Sequence, residues 1–189
     1  MFLFLKEYLG INRTMKFLYY FAFTGLVLSL IVGILSFVSV DITHYIPFIW
    51  VLHIGALIVH FRVFFYLYNY PLYEVDDFES ENRFGLNLMP YFRNAPRKLL
   101  LTTICMIVVG FYISGTSMNS LHGSPEYENG SYVLKDHGQF IKKITEIEFH
   151  KAKASELGLF TGVWILFYSL GFLLLQQIVI SEESENETD

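Results

Sequence analysis

The chain has 189 residues, 53% of them hydrophobic and only 16% charged, with a formal net charge of -5 and a mean hydropathy of +0.43. Soluble domains carry nearer a quarter charged residues, so composition argues against an ordinary soluble domain and for a polytopic membrane protein. No basic cluster is large enough for nucleic acid, and a single cysteine, Cys105, cannot form an internal disulfide.

The chain opens MFLFLKEYLGINRTMKFLYYF. Lys6, Arg13 and Lys16 interrupt this start, and no small-residue cleavage site follows. A secretory signal places its charge before the apolar run, so the segment reads as a retained first span, about residues 17–38. Crossing a ~30 Å hydrocarbon core takes about 20 apolar residues. A second span is predicted at 48–69, with Pro47 in its first turn, where a missing N–H costs least. The segment 70–97 is polar and mixed. The third span is predicted at 98–115, started by Asn94 and Pro96, and the fourth at 156–180. Residues 181–189 read as a disordered acidic tail.

The one sizeable extramembrane piece lies at about 116–155. Two β-prone runs, 131–135 and 139–144, flank Asp136-His137-Gly138, where Gly138 suits a tight hairpin loop. Thr145 followed by Glu148 is a capping-box pattern, so a helix from about 146 is expected to continue into the fourth span. The triplets Asn129-Gly130-Ser131 and Asn186-Glu187-Thr188 match the glycosylation acceptor pattern, which also arises by chance. Lys6, Arg13, Lys16, Arg83, Arg93, Arg97 and Lys98 flank one side of the spans; Lys135, Lys142, Lys143, Lys151 and Lys153 lie in the 116–155 region. The balance predicts both termini in the cytoplasm, with the hairpin outside; a bacterial source is assumed in taking the membrane to be an inner membrane.

The intramembrane polar candidates are His53, His60 and Arg62. The two histidines are seven positions apart and share a helix face, about 10 Å from one another. They cannot both be axial ligands of one iron, and no other span holds a histidine. Hydrogen bonding between helices is the favoured role, with no cofactor and no metal. Arg62 is expected to snorkel to headgroups. No span interior contains Asp or Glu, which counts against a proton-coupled carrier. No catalytic motif is found.

Small residues at spacing four, Gly25, Ser29 and Gly33, then Gly158 and Gly162, predict close helix packing within the chain or between copies. The loop run 83–97, with Arg83, Arg93 and Arg97, and Lys98 after it, suits either a flat interfacial connector or a surface for a partner or anionic lipid. The expected fold is therefore all-α: four transmembrane helices and a small extramembrane β-hairpin/helix cap between the third and fourth spans. The expected function is a non-enzymatic membrane anchor or sensor subunit that binds copies of itself, a soluble cytoplasmic protein, or both. Channel or transporter subunit and haem-binding redox subunit are the alternatives. In size and span layout the chain resembles the small four-span subunits of bacterial conflict systems, such as the membrane component of Kiwa-type antiviral defence. That likeness implies a defence or immunity setting and names no residue.

Overall fold

The computed structural model describes residues 2–69, 72 and 88–186. It is mostly helical, with a small three-stranded sheet, and four of its helices are long and apolar enough to cross a membrane. Helix α1 is Phe2–Phe37, α2 is Val51–Asn69, α3 is Met89–Asn94, α4 is Arg97–Ser120 and α5 is Glu146–Asn186.

The helix ends differ from the expected spans for identifiable reasons. α1 ends in a turn whose last bonds run from Ser39 N–H to Ser36 and from Val40 N–H to Leu35. Ser39 takes φ 64° there, the left-handed cap conformation usually given to glycine. α2 starts at Val51 rather than 48, because Pro47 opens a run of tight turns. Val51, Leu52 and His53 each donate to the carbonyl three residues back, a 3₁₀ pattern common at helix starts. α4 continues five residues past the predicted end at 115, through Gly115, since nothing after that glycine blocks the helix. Asn94 closes α3 instead of opening α4, and the Pro96 carbonyl accepts the bond from Leu100 N–H. The expected tail also changes: α5 keeps helical backbone to Asn186, because SEESEN has no Gly or Pro to stop it.

The segment 116–155 holds one strand more than the predicted hairpin. Strands β1 Ser124–Glu128, β2 Ser131–Asp136 and β3 Gln139–Lys143 form an antiparallel meander in that order. Glu128 pairs with Ser131 and Asp136 with Gln139, so both loops have two residues. Asn129 and Gly130 take φ 50° and 76°, and His137 and Gly138 take 49° and 81°. Two successive positive φ values make the type I′ turn that matches strand twist. α5 follows at once. Glu148 N–H donates to Thr145 Oγ1 at 3.2 Å and Thr145 N–H donates to Glu148 Oε2 at 2.8 Å, the predicted capping box.

The chain divides into two compact units. The first comprises residues 1–25, 55–105 and 167–189. Its centre is Tyr168 of α5, which packs where any side chain on Gly25 of α1 or Gly55 of α2 would stand. Tyr19 and Phe172 stack at 4.8 Å, and Val59, Val63, Leu67 and Leu173 to Leu175 are buried there. The second comprises 26–54 and 106–166, with Trp164, Ile165, Leu157, Val133 and Leu134 buried.

Candidate functional site

His53 lies in the second unit. Trp164 Nε1–H donates to its Nδ1 at 2.9 Å, joining α2 to α5. Trp50 and Phe160 complete an edge-to-face aromatic group around that bond. With Nδ1 accepting, the ring proton of the neutral form belongs on Nε2. His60 lies in the first unit, stacked on Phe167 at 4.7 Å and tilted against Phe64 at 4.2 Å. Its Nδ1 is buried and has no hydrogen-bond partner among the described residues. The two histidines thus share a helix face but have separate neighbours. Arg62 is exposed.

The small residues face helices of the same chain. A side chain on Gly33 would meet Ile113 and Thr161, and one on Gly158 would meet Ser117 and Ser36. Gly162 lies against Ser114 and the Gly110 carbonyl, and Ser114 Oγ donates to the Leu159 carbonyl at 2.8 Å. Gly25 faces Tyr168. Ser29 is fully buried, its Oγ unpartnered. These contacts use the small-residue faces for packing α1, α4 and α5, so the spacing gives no separate support to pairing between copies.

Of the predicted loop residues, Arg83 lies outside the described residues. Arg93, Arg97 and Lys98 are exposed where α3 meets α4. α3 itself is fixed: Tyr91 is 2% exposed, Gln177 Nε2 donates to its carbonyl at 3.0 Å, and its hydroxyl accepts from Leu72 N–H at 3.2 Å. α3 is therefore seated on α5.

A further cluster was not anticipated. Asp41 follows α1 and caps a 3₁₀ turn, Ile42–His44. Its side chain is 5% exposed. Oδ1 accepts from the Thr43 N–H at 3.0 Å and from the Thr43 hydroxyl, and Oδ2 accepts from His150 Nδ1–H at 2.8 Å. Across the ring, His150 Nε2 lies 4.0 Å from Glu146 Oε1. The His44 ring stands edge-on to His150 at 5.3 Å. Burial alone would raise the Asp41 carboxyl, but the bonds from Thr43 and His150, with the attraction of a charged His150, hold it below the usual range. Beside His150 on α5, Phe149 packs on Tyr132 of β2 at 4.8 Å. The first turns of α5 are thus clamped to the sheet and to the α1–α2 connection. The only sequence trace of this site was Asp-x-Thr, a local turn signal; the partner is more than a hundred residues away.

No protein-family model, no curated protein and no solved structure matches the chain.

Proposed function

We propose that the chain is a non-enzymatic integral membrane subunit that senses a condition at its extramembrane sheet and anchors a soluble partner on the opposite side. One observation carries this reading: α5 is a single helix from Glu146 to Asn186 whose first turns are held by both the sheet and Asp41. Within the second unit, a shift of the sheet must move the start of that helix. The long apolar stretch of α5 supports a path for the signal through the bilayer. The acidic end of the chain and the 70–97 segment are the proposed partner-binding parts. The setting, a bacterial antiviral-defence or immunity system, rests on layout alone.

Self-association stays within the proposal without the small-residue argument. The haem alternative gains nothing from the geometry: His53 has Nδ1 bonded to Trp164, and His60 is stacked against two phenylalanines, arrangements that support packing roles. The test is co-purification from membranes with the proteins encoded beside it. Recovery of a soluble partner, lost when residues 74–87 are replaced by a Gly/Ser linker, is expected. A monomer that retains no partner in mild detergent would overturn the reading.

A further inference from the structure

We propose that Arg13, Arg62, Arg93, Arg97 and Lys98 form a cationic belt that binds the headgroup phosphates of anionic lipids. The inference rests on the reading of the helices as membrane-spanning.

The charge distribution comes first. The described side chains of the first unit include these five cations and Lys16, and no Asp or Glu. The second unit holds charges of both signs, and some of them pair internally. Lys135 bonds Glu126 at 2.9 Å and Glu128 at 2.7 Å, His150 bonds Asp41 at 2.8 Å, and Lys153 bonds Glu156 at 2.9 Å. Every ion pair among the described residues belongs to that second unit. The five cations of the first unit make none with a described residue, and all five are exposed. The acidic runs 74–81 and 182–189 lie outside the described side chains.

Height comes second. Tyr168 touches both Gly25 and Gly55 and so marks one level on α1, α2 and α5. The stack of Tyr19 on Phe172 gives the direction in which α1 and α5 leave that level, and Val59 against Gly171 gives the direction of α2. At 1.5 Å per residue, Arg13 lies about 18 Å from it along α1 and Arg62 about 10 Å along α2. Gln177 lies about 14 Å from it along α5, and Gln177 holds α3 by the Tyr91 carbonyl. Arg93 is two residues further on, with Arg97 and Lys98 after the Pro96 break. Cations from four helices therefore gather in one zone about 10 to 18 Å from Tyr168.

Chemistry comes third. The zone mixes cations with exposed Phe61, Phe65, Tyr68 and Met89, the amphipathic mixture favoured at the headgroup level. Guanidinium forks match phosphate oxygens in two-point hydrogen bonds. A zwitterionic headgroup also has a phosphate but brings its own cation, so the belt should prefer an anionic lipid.

The experiment uses the full chain purified in mild detergent and mixed with equal phosphatidylglycerol and phosphatidylcholine. The lipids retained are counted by native mass spectrometry. One cation near an anionic surface adds about five-fold to affinity, so at least that enrichment of phosphatidylglycerol is expected. It should fall several-fold in the triple variant R93Q/R97Q/K98Q, which keeps Arg13 and Arg62. The double variant R13Q/R62Q reads the other side of the belt if the triple variant does not fold. Equal retention of both lipids by the unaltered chain would overturn the belt. So would enrichment that survives both variants, or displacement of the lipid by millimolar inorganic phosphate, which would indicate a site for a free anion. Carbonate washing of membranes tests the spanning reading separately. A chain that washes off yet still selects phosphatidylglycerol loses that reading and keeps the belt.

Discussion

Asp41 shows how one carboxylate ties distant parts of a chain together. It accepts three hydrogen bonds, two from Thr43 and one from His150, while almost wholly removed from solvent. A buried acceptor left unmade costs about 1–3 kcal/mol. Asp41→Asn is therefore expected to destabilise by that amount at pH 7, read as a lower thermal midpoint in detergent. The pH dependence has a definite sign. A carboxyl held below its ordinary value near 3.9 contributes stability above that value and loses it as pH falls through the lowered one. This contribution should disappear in acid below about pH 4. Asp41→Asn should remove the acid limb that belongs to it; an identical acid profile in both proteins would refute the assignment. Ser39 offers a second check. Its φ of 64° is one that glycine adopts without the roughly 1–2 kcal/mol penalty of a Cβ. Ser39→Gly should leave the fold unchanged and raise its thermal midpoint in a detergent melt. None of the Asp41–His150 arrangement was readable beforehand, because tertiary partners leave no periodic mark. The His53 role was partly readable: a helix–helix bond was expected, and its donor, Trp164, was not.

At the scale of elements, legibility follows the strength of the local signal. The four apolar helices, the capping box at Thr145 and the loop at His137-Gly138 were all visible, since hydropathy and cap chemistry are local. Strand β1 was missed although Asn129-Gly130 is the strongest short hairpin signal; the same residues had been weighed only as a glycosylation triplet. β1 reads SPEYE, with Pro125 inside it, and proline demotes a run to edge strand or coil. It is in fact an edge strand. The helices run past the predicted spans where an apolar window stops but the backbone does not, as after Gly115 and after Ile180. The glycines of α4 give a paired prediction. A Cβ at Gly110 would stand 2.7 Å from the Gly162 carbonyl oxygen, so Gly110→Ala must push α4 and α5 apart, at about 1–3 kcal/mol. A Cβ at Gly115 meets no heavy atom within 4 Å, so Gly115→Ala should stabilise by up to about 1 kcal/mol through helix propensity. Opposite shifts of the two variants in a detergent melt are expected. Equal shifts would show that α4 does not pack on α5 as described.

For the molecule as a whole, the question is whether the four apolar helices cross a bilayer and which segments then share a side. α4 has 24 residues, about 36 Å at 1.5 Å per residue, which exceeds a ~30 Å hydrocarbon core. α2 has 19 residues, about 28 Å, and the tight turns from Pro47 to Trp50 extend it; small mismatches of this kind are absorbed by tilt or local thinning. If α4 crosses, Arg93 before it and His137 after it must emerge on opposite faces. The sheet and the cationic end of the third span are then separated by the membrane, as the sensing and anchoring proposal requires. The measurement is labelling of intact cells or sealed vesicles with a membrane-impermeant maleimide. Cys105 is replaced by serine, and a single cysteine is placed at Arg93 or at His137, whose side chain is 94% exposed. The charge bias along the chain predicts that His137→Cys reacts from outside and that Arg93→Cys reacts only after lysis. Reversed labelling would keep the four crossings and invert the orientation, turning the sheet toward the cytoplasm. Labelling of both positions from one side would remove α4 from the membrane and with it the separation of the sheet from the cationic end of that helix.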